Sequence, residues 1–263
     1  MRFVCLAVLI VSPLSVYASA INVDLGAAAS FAVLAGSTVT NTGPSVINGD
    51  VGVTPGSAIT GFPPGMVVPP SIEYVADAVA MGAETDLTTA YNFAAGEACT
   101  GGNITGENLG GITLTPGVYC SSSQSQLTGT LTLDDEGDPN SVFIFVIADT
   151  LTTASGSSVA FMSGTQGDVY WLVGSSATLG AGTAFEGNIL ASKSITLDTG
   201  ATIACGSALA ETGAVTLDTN QISIGCGTTQ IPIGSPEPST APLLLLIGAS
   251  GLLWLRKSRP VRG

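Results

Sequence analysis

The chain has 263 residues, enough for one elongated domain or two small ones, yet only 10% are charged and none is histidine. Between residues 21 and 235 one base, Lys193, faces eighteen acids, a net charge of −17; such a body repels phosphate backbones, which excludes nucleic acid as a partner. Without histidine the commonest general base, the Ser-His-Asp triad and most zinc ligand sets are missing too.

Residues 1–20 read as a secretory signal. Arg2 supplies the charged start, Phe3 to Val11 the apolar run, and Ala18-Ser19-Ala20 the cleavage site, so the mature chain is expected to begin near Ile21. Cys5 leaves with the signal. Residues 21–62 then show paired apolar residues eight positions apart, in Phe31 to Val39 and Val51 to Ile59. Turn signals lie between them: Asn41-Thr-Gly-Pro44, Asn48-Gly-Asp50 and Thr54-Pro-Gly56. These read as the first coils of a repeat, closed by a Pro-rich turn from Gly61 to Pro70.

Residues 72–95 change character. They hold no proline, one glycine and many alanines, and Val75, Val79, Ala83, Leu87, Ala90, Tyr91 and Ala94 recur at helical spacing. The pattern predicts one long helix over 72–95, with Ser71 as N-cap and Gly96 as its stop. Lying along the side of a solenoid, its apolar face covers a sheet that would otherwise be bare.

Coils resume over 97–141, in Gly111 to Tyr119 and Leu127 to Leu133. The acidic run Asp134 to Asn140 reads as a solvated turn, because its spacing fits no EF-hand. From Val142 to Ser223 four blocks align: Phe143 to Leu151, Trp171 to Leu179, Ile189 to Leu197 and Leu209 to Leu217. Each opens on a large apolar residue and closes on Thr-Leu. A repeat of this size marks a solenoid, in which stacking of units makes one continuous core.

Residues two apart in a strand share a face. With Leu179, Leu197 and Leu217 pointing inward, Ala177, Ile195 and Val215 point inward as well. The outward pairs are then Ala148/Thr150, Ser176/Thr178, Ser194/Thr196 and Ala214/Thr216, with Gly36/Thr38, Gly56/Ala58 and Thr130/Thr132 placed in the same columns of earlier coils. The expected outcome is a flat, uncharged ladder of Thr, Ser, Ala and Gly, with Lys193 and Glu211 at its edge. Thr simply favours strands, but that preference leaves the lack of Lys, Glu and Gln on these columns unexplained. A second candidate face holds Thr183, Thr199 and Thr202.

Four cysteines follow the signal, Cys99, Cys120, Cys205 and Cys226, and three connectivities are open. Cys99–Cys120 and Cys205–Cys226 are favoured, each closing a loop of about one coil. Acids such as Asp149, Asp168, Glu186, Asp198 and Asp218 are scattered singly at turns, with no paired carboxylates for polysaccharide hydrolysis. The chain therefore reads as a non-enzyme, with no cofactor and no metal implied.

Residues 236–263 form a separate module: Pro236-Glu-Pro238, an apolar segment from Leu243 to Leu255 that is short for a membrane span, and the basic end Arg256-Lys-Ser-Arg259. This resembles the Pro-Glu-Pro C-terminal sorting signal of Gram-negative bacteria. The resemblance implies processing by an exosortase and a final place outside the cell, released or held in surface polymer.

The body resembles the microbial ice-binding proteins of the irregular β-helix type. The matching stretches include Phe31 to Ala35, Val46 to Gly56, Asp86 to Tyr91, Leu114 to Tyr119, Gly137 to Phe145, Val169 to Val173 and Gly187 to Ala191. The resemblance implies a mainly β fold, a right-handed irregular parallel β-helix over 21–235 with one long α-helix alongside and N-terminal coils stacked out of sequence order. It also implies an ice crystal surface as the partner, bound through one flat face. On the columns above that face holds Thr38, Thr130, Thr132, Thr150, Ser176, Thr178, Ser194, Thr196, Ala214 and Thr216. The family pattern Thr-Ala/Gly-x-Thr/Asn is one residue longer in Thr212-Gly-Ala-Val-Thr216. The alternative on the same scaffold is a surface or matrix adhesin that binds extracellular polysaccharide or neighbouring cells, with Tyr170 or Trp171 facing outward.

Overall fold

The computed structural model describes residue 21, residues 23–162 and residues 167–225. The signal and tail readings, and Cys226, lie outside these. The described chain is a parallel β-solenoid with three sheets of nine, seven and eight strands. Sheet A runs, in spatial order, Glu73–Val75, Asp50–Val53, Phe31–Ala35, Ala208–Ala210, Asn188–Ala191, Asp168–Val173, Val142–Ile147, Gly117–Ser121 and Gly102–Asn103. Sheet B runs Ser125–Leu127, Leu151–Thr153, Ala177–Leu179, Ile195–Leu197, Val215–Asp218, Thr38–Thr42 and Ala58–Thr60. Sheet C runs from Met66–Val67 through Val46–Asn48, Gln221–Ser223, Thr202–Ala204, Ala184–Glu186, Ser158–Phe161 and Thr130–Leu133 to Thr113–Leu114. The N-terminal coils stack on the last coil, Phe31–Ala35 pairing with Ala208–Ala210, so the stacking is out of sequence order.

That order creates the need for the helix. After the strand Glu73–Val75 at one edge of sheet A, the chain must reach Gly102–Asn103 at the opposite edge. Eight inter-strand steps make about 38 Å. Helix α1 (Ala78–Ala95) supplies about 27 Å of it at 1.5 Å per residue, and its flanks the rest. Its start differs from the sequence expectation. Glu73–Val75 is a strand, because it pairs with Val51–Val53. The N-cap is Asp77, not Ser71: the Val79 and Ala80 N–H groups donate to its Oδ1 at 3.1 and 2.9 Å. Gly96 ends the helix as expected.

Ala80, Ala83, Leu87, Ala90 and Ala94 form the buried face of α1. Small alanines let it lie close to Leu172, Leu190 and Leu209 on the outside of sheet A. Asp86 fastens it to the turn Gly26–Ser30 by accepting the Ala27 N–H at 2.8 Å. Val75 and Val79, expected on the apolar face, are exposed.

A second core fills the solenoid. Ala177, Leu179, Ile195, Leu197, Val215 and Leu217 all point into it and are buried. Aromatic rings stack in it from coil to coil, Tyr119 on Phe145 at 5.6 Å and Phe145 on Trp171 at 3.9 Å, and Phe185 of sheet C meets Trp171 across the same coil in a tilted contact at 4.9 Å. The Trp171 indole donates to the Glu186 carbonyl at 3.0 Å, which satisfies its only polar group. Neither Tyr170 nor Trp171 offers a platform to solvent, contrary to the outward aromatic of the adhesin reading: Trp171 is in the core and Tyr170 lies under the helix.

Cys99 and Cys120 form a disulfide with a Cα separation of 5.7 Å, tying the segment after the helix to sheet A. In the acidic run Asp134, Asp135 and Asp138 accept backbone N–H groups two residues on, as turn carboxylates do, but Asp135 is fully buried, so the run is not wholly the solvated turn expected from the sequence. Among the described residues no helix is long and apolar enough to cross a membrane.

Candidate functional site

Sheet B carries the flat Thr face, and its register differs from the one expected from the blocks. Thr178 pairs with Thr196 and Thr196 with Thr216, as the Thr-Leu alignment requires. The next coil brings Thr152, not Thr150, opposite Thr178, and Leu151 opposite Ala177. On the other side Thr40, not Thr38, pairs with Thr216, and Thr60 follows Thr40. The column is therefore Gln126, Thr152, Thr178, Thr196, Thr216, Thr40 and Thr60, a threonine in six consecutive coils. Parallel strands space neighbours about 4.8 Å apart. Buried residues flank each of the five central threonines along its strand, so that column stands on the core rather than on a loop.

The remaining expected residues fall in two places. Thr150, Ser176, Ser194, Ala214 and Thr38 sit at the sheet B edge, one step before the strand interior, and make a flanking column that continues to Ala58. Thr130 and Thr132 are on sheet C, where they pair with Ser158 and Ala160. They belong to a different face and leave the proposed site. Thr40, Thr60 and Thr152 were missed, although the alternation Thr38-Val39-Thr40 carries their signal.

The two columns differ in chemistry. Among the described residues, the hydroxyls of Thr40, Thr152, Thr178, Thr196 and Thr216 make no hydrogen bond to the protein, and that of Thr60 makes only a long one, 3.4 Å to the Val39 carbonyl. The flanking hydroxyls of Ser176 and Ser194 accept backbone N–H groups of the next coil, from Ser194 at 3.3 Å and Ala214 at 3.2 Å. No acid or base interrupts the threonine column. Lys193 and Glu211 occupy the corner between sheets A and B, beyond its edge.

The second candidate face does not exist as a unit. Thr183 is fully buried and shares a 2.7 Å hydrogen bond with Thr153 inside the solenoid. Thr199 is at the B/C corner beside Asp218, and Thr202 is on sheet C. On sheet C the Thr130 and Ser158 hydroxyls bond each other at 2.8 Å, and Glu186 is half-buried, with one carboxyl oxygen buried and without a hydrogen-bond partner. Burial raises the Glu186 carboxyl to about 7.

The profile of the ice-binding-like family matches residues 33–223. The chain belongs to this family. It is 49% identical to an ice-binding protein of Nostoc sp. over 99% of its own length and 96% of that protein's. It is 36% identical to ice-binding protein 1 of Shewanella frigidimarina over 76% of the chain, which spans only 26% of that larger protein. Among solved structures, an ice-binding protein from an Antarctic biological consortium superposes with a TM-score of 0.73 at 44% identity, covering 81% of this chain and 95% of that one. That of the Antarctic ascomycete Antarctomyces psychrotrophicus superposes at 0.72 with 42% identity, over 78% and 98%.

Proposed function

We propose that this ice-binding-family protein adsorbs to ice through the outer face of sheet B, with Thr152, Thr178, Thr196, Thr216, Thr40 and Thr60 as the contact column. The observation that carries the reading is the run of six threonines in neighbouring coils, five of them with hydroxyls unused by the protein. Each threonine presents a methyl and a hydroxyl. Water orders around the methyl, and the hydroxyl fixes that water by a hydrogen bond. Repetition at a constant spacing on a packed sheet extends the ordered patch into a layer that can merge with the crystal. The rigid core removes the ordering cost that a flexible loop would meet on binding. Ice then grows only between adsorbed molecules, its front curves, and the freezing point falls.

Export by the residue 1–20 signal, exosortase processing of the Pro-Glu-Pro tail, and a secreted or surface location on a Gram-negative bacterium complete the proposal. The test is thermal hysteresis and ice recrystallisation with the purified protein and Thr196→Tyr. The wild type shows both activities, and the tyrosine ring, standing above the plane, abolishes them with the fold intact by circular dichroism. Full activity in Thr196→Tyr would move the contact face off sheet B.

A further inference from the structure

The coil that carries Thr216 is one residue too long for its neighbours. Ile189 and Val33, on either side, both pair with Ala208. Ile195 and Val39 both pair with Val215. From Ile189 to Ile195, and from Val33 to Val39, the chain advances six positions; from Ala208 to Val215 it advances seven. Because side chains alternate along a strand, an extra residue that reached the strand would turn Thr216 into the core and Val215 outward. The excess must leave the path and return within residues 211–214.

Four hydrogen bonds account for the return, and a fifth repeats one of them in a coil of ordinary length. The Gly213 N–H donates to the Lys193 carbonyl at 3.1 Å, and the Gly213 carbonyl accepts the Ser37 N–H at 3.0 Å, so this residue is held between both neighbouring coils. A Cβ there would stand 2.3 Å from Ser194 Oγ and 2.5 Å from the Lys193 carbonyl oxygen, so only glycine reaches this depth. Next, the Ala214 N–H donates to Ser194 Oγ, and one coil earlier the Ser194 N–H donates to Ser176 Oγ. The surplus is left in Glu211 and Thr212, where the Thr212 hydroxyl anchors on the Ser192 carbonyl at 2.6 Å.

We infer that Gly213 and Ser194 are positioning residues that absorb the extra residue of this coil, and that Ser176, which makes the same contact in a coil of ordinary length, helps them keep Thr178, Thr196 and Thr216 in one straight column. This rests on sheet B being the ice-contact face. The serines, expected from the sequence to touch ice, act instead through the backbone of the strand that carries the next threonine. A face that must match a crystal tolerates little displacement, and errors of about 0.5 Å already loosen a built site.

The experiment compares full-length wild type, Ser194→Ala, Ser194→Thr, Gly213→Ala and Thr196→Tyr by thermal hysteresis near 0 °C, melting temperature, and amide exchange at Ala214 and Thr216. Ser194→Ala is expected to lower hysteresis severalfold and speed exchange at both amides, while its melting temperature moves by only about 2–4 °C. Ser194→Thr keeps the Oγ acceptor and restores hysteresis and protection. Gly213→Ala gives a deeper loss; where it fails to fold, the two Ser194 variants decide. Full hysteresis in Ser194→Ala, with Thr196→Tyr inactive, overturns the inference and leaves the contact face standing. Full hysteresis in Thr196→Tyr overturns both, since no threonine column then needs positioning.

Discussion

Glu84 on α1 and Glu211 on the A/B corner share one groove at the seam where the helix meets the solenoid, and the negative charge of Glu211 acts on Glu84. One carboxyl oxygen of Glu84 is buried with no hydrogen-bond partner. Burial first, and Glu211 second, push Glu84 up to about 8. The same surroundings raise Tyr91, while the Thr88 hydroxyl partly offsets the rise in Glu211. Folding therefore favours the protonated carboxyl. In the unfolded chain Glu84 loses its proton near 4.5, and in the folded chain only near 8, so its stabilising contribution is full below pH 4.5 and declines as pH rises to 8. Glu186 works in the same direction up to about 7. The melting temperature should fall between pH 5 and 8, and Glu84→Gln should flatten that slope and stabilise the protein at pH 8. An unchanged slope in Glu84→Gln, measured by calorimetry, would show that Glu84 is ionised in the fold.

The register of sheet B makes a paired prediction. Thr152→Tyr puts a ring in the proposed contact column and should abolish hysteresis, whereas Thr132→Tyr, on sheet C, should leave it intact. Thr40→Tyr should be more damaging than Thr38→Tyr, because Thr40 pairs with Thr216 and Thr38 lies in the flanking column. Equal loss in all four variants would assign the effect to general disturbance rather than to a column.

The solenoid, its lateral helix and the inward leucines were legible in the sequence because each rests on periodicity over many residues. The register was not, and the reason is local. Phe143-Ile144-Phe145 offers two large apolar starts two positions apart, and the structure uses Phe145 opposite Trp171. Thr150 and Thr152, like Thr38 and Thr40, are identical residues at the same period-2 phase, so no pattern chooses between them. Only pairing with coils far away in sequence does. The helix start failed similarly: Ile72 to Val75 suits either element, and sheet pairing with Val51–Val53 overrides helical spacing.

The Cys99–Cys120 disulfide closes a 21-residue separation at one end of sheet A, where Gly102–Asn103 is the edge strand. Loop-closure entropy puts its contribution at about 3 kcal/mol. Cys99→Ser/Cys120→Ser should lower the melting temperature by roughly 6–12 °C at about 2–4 °C per kcal/mol. Hysteresis near 0 °C should hold, because the bond lies outside the threonine column. Loss of activity at unchanged stability would instead couple the end coil to the ice face.

The threonine column stops at Gln126, which pairs with Thr152 on the edge strand Ser125–Leu127. Its backbone is in register and its neighbours Ser125 and Leu127 are buried, so the site has the geometry of the other coils. What differs is the side chain: a longer, unbranched amide that stands above the plane of methyls and carries rotamer freedom that ordering must overcome. Gln126→Thr should extend the contact column by one coil and raise hysteresis at equal concentration, with little change in melting temperature, since the position is exposed. Gln126→Tyr makes the opposite change at the same place, and should lower hysteresis less than Thr196→Tyr because it blocks the end of the column rather than its centre. A Gln126→Thr variant with unchanged hysteresis would put the end of the working face at Thr152.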